Sequence, residues 1–325
     1  MQGKIESGMQ TIPPKARRNP LLRIGKWLTQ TQEGVLFIAV IALSGILAFS
    51  SPVFLTARNI GVLLSVVSMT AITAYAMTIL VIAGEVDLSV GSMQALVSVV
   101  VMLALNQTMN LWAGIGIGLG VGAVVGLINA GATLWLGINS LIVTLAMLSV
   151  VRGVAYMIAI GAVQNFHKIP AFRTLGNGFL GFIPWPVAIM LVVFIVAYIV
   201  LTRTTFGRYI YAVGGNPQAA TLSGVRVKRV KTLAFVITGM AAALSAIILT
   251  SRMNSGQNNA GAGFELSVVG AVLLGGTGLG GGSGTLLGTF MAVLLLAVLN
   301  NGVILLGINS SWQIALNGVL IILAM

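Results

Sequence analysis

Glu85, Asp87 and Glu265 are the side chains of this sequence best placed to do chemistry, because they are three of only five acids in 325 residues and fall at the ends of long apolar runs. An ionised carboxylate at membrane depth is costly, so it must pair, face a water-filled cavity or exchange a proton. Asp87 also has a plainer reading, as the cap of a helix starting at Leu88, where it would accept a backbone N–H and complement the helix dipole. Arg152 sits inside another apolar run and needs a carboxylate or exposed carbonyls from a neighbouring segment. Gln94, Asn129, Asn300 and Asn301 supply donors and acceptors suited to a hydroxylated solute, and interhelical hydrogen bonds account for them equally well. Other chemistries are excluded by composition. With no cysteine and one histidine, His167, the chain has no disulfide, thiolate nucleophile, Cys metal site or His cluster. No Ser/His pair falls at matched depth. His167, beside Lys168 in an outer loop, reads as solvated surface. The stretch Gly275 to Gly284 resembles a phosphate loop in composition but lacks the Gly-Lys-Ser/Thr ending, and close helix packing with a tight turn explains it better.

The elements that must position these residues are membrane helices. The chain is 58% hydrophobic and 7% charged, with mean hydropathy +1.05, whereas a soluble domain carries about 25% charged residues. The expected fold is all-α and polytopic, with about ten spans of roughly 20 residues each: Gly34 to Ser51, Ile60 to Ala83, Leu88 to Leu105, Leu111 to Leu136, Leu141 to Ile160, Trp185 to Thr202, Thr232 to Ser251, Leu266 to Gly280, Thr285 to Leu306, and Trp312 to Met325. Residues 1–33 form a basic tail interrupted by Pro13, Pro14 and Pro20, read as cytosolic and not as a cleaved signal. Residues 34–325 form the membrane domain, with a long inner loop at 203–231. The net charge of +12 lies in short segments between spans and reflects membrane orientation, not nucleic-acid binding. With the N-terminus inside, twelve of the seventeen Lys and Arg lie on the inner side. Arg58, Lys168, Arg173 and Arg252 lie outside, and Asn254 to Ala262 is an outer segment.

Three motifs recur in one order. Asp87-Leu88-Ser89-Val90 returns as Glu265-Leu266-Ser267-Val268, Asn129-Ala130-Gly131 as Asn300-Asn301-Gly302, and Gly137-Ile138-Asn139-Ser140 as Gly307-Ile308-Asn309-Ser310. Chance in a Gly, Leu, Ser and Val-rich chain is the competing explanation. A duplication would relate spans 2–5 to spans 7–10. That shift is odd, so the copies face opposite ways, the architecture that suits alternating access. Glycine-interrupted segments at matching positions then mark the pathway, here the third and eighth spans.

The inner loop carries a second signal. Asn216 is a good N-cap, Pro217 suits the first helical position and Gly224 suits the stop, marking off about two turns. A helix this short is not stable alone and should dock on something. Gln218 to Ser223 offers little apolar stripe for lying on lipid. The basic run Arg226 to Lys231 is the part suited to anionic headgroups.

The segment Gly84 to Gly91, the loop Ala212 to Gly224, and the run Ala271 to Thr277 followed by Gly281-Gly282 together resemble permease subunits of bacterial ATP-binding cassette importers for ribose, xylose, arabinose, galactose and related solutes. The similarity runs from about Pro52 to the end. It departs at Glu85, where the family more often has a second glycine, and at Asn139 to Leu141, where proline and an aromatic are common. The resemblance implies a non-catalytic translocation subunit in a bacterial inner membrane, N-terminus cytoplasmic. It implies a cytoplasmic ATP-binding subunit that holds ATP and Mg, a second permease subunit, identical or not, and a periplasmic or extracellular solute-binding protein. In this chain Gly214, Gly215, Asn216, Pro217, Ala219, Ala220, Ser223 and Gly224 would couple to the ATPase, and no cofactor is expected. Glu85, Asp87, Ser89, Gln94, Asn129, Glu265, Ser267, Asn300 and Asn301 are the pathway and gating candidates. The main rival is a proton-coupled secondary transporter working through Glu85, Asp87 or Glu265. A channel and an intramembrane hydrolase are the remaining classes.

Overall fold

A computed structural model describes residues 28–159, 164–165, 169–309 and 311–324. His167, Lys168 and most of the N-terminal tail lie outside these residues. The helices are α1 (Gln32–Ser50), α2 (Ala57–Ile82), α3 (Val90–Thr108), α4 (Leu111–Leu134), α5 (Ser140–Ile158), α6 (Pro170–Asn177), α7 (Trp185–Arg203), α8 (Thr205–Gly215), α9 (Pro217–Leu222), α10 (Val227–Met253), α11 (Phe264–Leu274), α12 (Leu286–Leu305) and α13 (Ser311–Ala324). Two short antiparallel pairs complete the described residues: β1 (Gln164–Asn165) with β4 (Ser255–Gly256), and β2 (Phe179–Leu180) with β3 (Ile183–Pro184).

Eight of these helices, α1 to α5, α7, α10 and α12, are long and apolar enough to cross a bilayer. α11 and α13 are shorter and occupy the remaining two expected positions. Polar residues set many of the helix starts: Thr31, Thr56, Asn110, Asn139, Thr204, Asn216 and Thr285 each accept a backbone N–H of the first turn. The eighth span, expected over Leu266 to Gly280, is a helix of eleven residues that starts at Phe264. Its helix stops at Leu274, because Gly275 packs its backbone on Thr289, where a Cβ would stand 2.5 Å from the Thr289 nitrogen. Gly275 to Gly284 is the close-packed turn into α12. The third helix starts at Val90 instead of Leu88, and α10 starts at Val227, five residues before the expected boundary at Thr232.

The packing is that of two exchanged, inverted halves. α3 packs on α4 and α5, and α11 packs on α12 and α13. α10 lies against α3 and α4, while α2 lies against α11 and α12, so each half lends its first helix to the other. Left-handed residues recur at matching places: Gly84 with Asn254, and Gly137 with Gly307, each pair 170 positions apart (254−84 and 307−137). α2 ends and α10 begins at one face, joined by Lys231 and Glu85. The copies therefore run in opposite directions.

With no hydrophobic driving force between helices in lipid, association rests on close packing of small residues. α4 shows this with Gly114, Gly118, Gly122 and Gly126 at four-residue spacing. A Cβ on Gly122 would overlap the Gly239 carbonyl of α10 and stand 2.7 Å from the Ala243 Cβ. α2, α3 and α10 form the buried centre, whereas α1, α4, α5 and α7 keep much of their apolar surface outward.

Candidate translocation site

The connection from α10 to α11 does not stay at the surface. Gly256 packs on Met102, the Gln257 N–H donates to Ser98 Oγ at 3.0 Å, and Gly261 lies on Gln94 and the Gly91 carbonyl. Successive residues thus descend α3 turn by turn from its far end toward its start. Arg152 of α5 donates to the Ala260 carbonyl and holds this loop from the other side, so the partner of Arg152 is an exposed carbonyl, one of the two kinds the sequence required. The expected outer segment Asn254 to Ala262 is a re-entrant loop, irregular backbone tolerated at depth where it packs on α3 and α5.

The loop delivers α11 with its N-terminus inside the structure. Eleven residues make a helix of about 16 Å, half of a bilayer core of about 30 Å. Glu265 is in its first turn, and its carboxylate rests on Gly91, where a Cβ would stand 2.9 Å from Glu265 Cδ. Glu265 Oε2 is buried with no hydrogen-bond partner among the described residues. Beside this helix start is a cavity of about 260 Å³, with Thr70, Ser267, Asn300 and Gln313 among apolar residues of α2, α11 and α12. Asn300 Oδ1 is buried and lacks a partner among the described residues. Thr70 is twelve residues, about 18 Å, from the Ile82 end of α2, which puts the cavity near mid-depth.

The other pathway candidates go elsewhere. Asp87 is fully buried: Oδ1 accepts from the Ser89 N–H at 2.8 Å and Ser89 Oγ at 2.6 Å, and Oδ2 accepts from Asn129 Nδ2 at 3.0 Å. Asn129 also donates to Ser89 Oγ at 2.9 Å, closing a network that ties α4 to the start of α3. Asp87 does bond a backbone N–H ahead of the helix, but Ser89 is the residue at the cap position. Gln94 donates to Ser245 Oγ at 3.1 Å, whose hydroxyl donates to the Met69 carbonyl. Asn301 exchanges hydrogen bonds with Asn59 of α2 at 2.9 and 3.1 Å. Glu85 pairs with Lys231 at 2.6 Å, both side chains about nine-tenths buried, at 11% and 12% exposure. Of the nine candidates, the cavity wall holds Ser267 and Asn300, with Glu265 one residue from the lining Phe264 and Leu266.

The loop at 203–231 is mostly helical. Asn216 Oδ1 accepts the Ala219 N–H at 2.9 Å, Pro217 opens α9, Ser223 ends it and Gly224 takes φ +82°. Only Ala220 of α9 is buried, and Leu222 is 91% exposed, a feature not legible in the sequence because one leucine in a six-residue helix makes no apolar stripe. The segment is tied to the core through α8. The Gly214 backbone lies on the Ile82 carbonyl and Gly282, and the Gly282 N–H donates to the Ile82 carbonyl at 2.8 Å. Tyr211 donates to the Gly284 carbonyl at 3.0 Å, and burial pushes its phenol up from its ordinary value, keeping the proton on. α9 is thereby linked to the ends of α2 and α12, which both line the cavity.

Exchanged inverted halves, a half-helix starting beside a mid-depth cavity and an exposed capped helix at one face define a membrane permease with a separate drive. The chain matches, over residues 59–325, the family described as branched-chain amino acid transport system / permease component, and it belongs to that family. It is 37% identical over 305 residues to the ribose import permease protein of Escherichia coli K12, covering 92% of this chain and 93% of that one. It is 38% identical over 294 residues to the ribose import permease protein of Bacillus subtilis, covering 89% of each. It is 37% identical over 303 residues to the L-arabinose ABC transporter permease protein of Azospirillum brasilense, covering 93% and 88%. No solved structure matches the chain. The chain is a multi-pass, non-catalytic translocation subunit of the ATP-binding cassette importer type, in which ATP hydrolysis belongs to a separate subunit.

Proposed function

We propose that the chain carries a sugar of the pentose or hexose type across a bacterial inner membrane, paired with a second permease subunit and driven by a cytoplasmic ATPase that holds ATP and Mg. The observation that carries this reading is the cavity at the start of α11. Its mixture of Thr70, Ser267, Asn300 and Gln313 with apolar walls suits a hydroxylated solute, which offers both hydroxyls and C–H faces. The ribose and arabinose relatives favour the same solute class. The cavity is open on one side, where Val66 and Leu266 are 42% and 41% exposed, a surface a second permease subunit would cover.

The drive enters through α9. An ATPase groove receiving Asn216 to Ser223 would engage the exposed Leu222. Motion of α9 passes along α8 to Gly214, and from there to the ends of α2 and α12, which move the cavity walls. The Gly84 end of the bundle, with Arg203, Arg208, Arg226, Lys228, Arg229 and Lys231, is the cytoplasmic face, and the N-terminus lies there. The solute-binding protein then delivers at the opposite face, near α6 and the β2–β3 hairpin.

The test is uptake by proteoliposomes containing the chain, its ATPase and its binding protein. ATP-dependent accumulation of a radiolabelled pentose or hexose, abolished by Asn216-Pro217→Gly-Gly, is expected. Accumulation under a proton gradient without ATPase would overturn the reading and restore the proton-coupled alternative.

A further inference from the structure

A pocket of about 370 Å³ lies directly behind α9, lined by Thr205, Phe206 and Tyr209 of α8, the hinge Gly224-Val225, and Arg226, Arg229, Val230 and Leu233. Its position relative to lipid follows from the chain: α7 leaves its span at Arg203, and α8 begins two residues later, while α10 runs into its span from Val227. The pocket therefore sits at the level where headgroups meet acyl chains. Its walls combine the exposed guanidinium groups of Arg226 and Arg229 with the apolar Phe206, Val230 and Leu233. Leu233 is 51% and Tyr209 is 44% exposed, an apolar and amphipathic surface suited to the interface.

The arginines have no carboxylate partner among the described residues. Among the described residues the only ion pair is Lys231 with Glu85, and Glu33 is bonded to Thr285. Arg226 and Arg229 are exposed, bridged to no carboxylate among the described residues, and positioned at the membrane surface. Guanidinium is the group of choice for phosphate, which it grips with two parallel N–H donors.

We propose that this pocket binds one anionic phospholipid, its phosphodiester held by Arg226 and Arg229 and an acyl chain lying along Phe206, Val230 and Leu233. The bound lipid braces the hinge at Gly224 and Val225 that joins α9 to α10. Lipid binding itself stands apart from the transport reading; its effect on coupling rests on that reading.

The test is native mass spectrometry of the intact chain in detergent, titrated with phosphatidylglycerol or with phosphatidylcholine of the same acyl chains. The wild type retains phosphatidylglycerol preferentially, and Arg226→Gln with Arg229→Gln reduces that preference roughly thirtyfold, about fivefold for each arginine near a charged surface. Arg203→Gln, outside the pocket, leaves it unchanged, and size-exclusion elution confirms that each variant is folded. Equal retention of the two lipids by the wild type would overturn the proposal. So would displacement of the lipid by millimolar inorganic phosphate, which would mark a free-phosphate site. Unchanged lipid preference in the double variant, with loss of ATPase co-purification, would assign the arginines to a protein contact instead.

Discussion

Substituting Gly214 by alanine isolates the link between α9 and the cavity. The position is helical, so propensity alone predicts a gain of about 1 kcal/mol for alanine. The geometry predicts the opposite sign. An added Cβ would overlap the Ile82 carbonyl oxygen and stand 2.5 Å from the Gly282 nitrogen. Ordinary contact is about 3.5 Å, so α8 must retreat by roughly 1 Å from Gly282 and by more from the Ile82 carbonyl at the end of α2. Overpacking of this kind costs about 1–3 kcal/mol, comparable to a typical coupling free energy of roughly 1–3 kcal/mol, so the displacement is large enough to disturb transmission. The neighbouring Gly215 is the internal control, because a Cβ there meets nothing within 4 Å. In proteoliposomes with the ATPase and binding protein, the ratio of solute imported to ATP hydrolysed should fall for Gly214→Ala and hold for Gly215→Ala. ATPase co-purification should persist in both. A wild-type ratio for Gly214→Ala, or equal losses in the two variants, would refute transmission through this contact.

Further outcomes follow from the same geometry. Lys231→Met leaves Glu85 uncompensated in a mostly buried setting and should lower the unfolding temperature in detergent, while adding Glu85→Gln should restore most of it, the non-additivity expected of a pair in contact. Asn129→Leu removes the donor to Asp87 Oδ2 and should destabilise by about 1–3 kcal/mol in a denaturation assay, with Asn301→Leu affecting only the separate pair with Asn59. Phe182, 90% exposed between β2 and β3, is the place for an orientation probe in a chain without cysteine. Phe182→Cys should react with an impermeant thiol reagent applied to whole spheroplasts, whereas a cysteine in the re-entrant loop is a poor probe because that loop is packed against α3.

Much of this arrangement was legible in the residues. Span positions follow from apolar length, and the repeat from motifs spaced about 170 residues apart. The helix at Asn216 follows from its cap, its proline and its closing glycine, each a local signal. What was not legible depends on contacts across the fold. The residues 254–263 are polar and glycine-rich, which reads as an exposed loop unless one knows that α3 offers Gly91 as a seat for Glu265. Asn300 and Asn301 are adjacent, so about 100° of helix rotation separates them; one reaches the cavity and the other faces Asn59. Lys231 is 146 positions from Glu85, a separation at which no sequence pattern indicates pairing. α8 was hidden because Gly207, Gly214 and Gly215 lower its propensity, and its formation reflects packing on α2 and α10.

The absence of cysteine gives the most direct test of where solute passes. Ser267→Cys and Ser89→Cys occupy equivalent positions of the two repeats, one at the cavity and one inside the closed Asp87–Asn129 network. In the assembled transporter, a small hydrophilic thiol reagent should modify Ser267→Cys, block uptake, and be slowed by transported solute, while Ser89→Cys stays unreactive. Modification of Ser89→Cys with solute protection, and none at Ser267→Cys, would place the pathway along Asp87 and contradict the account.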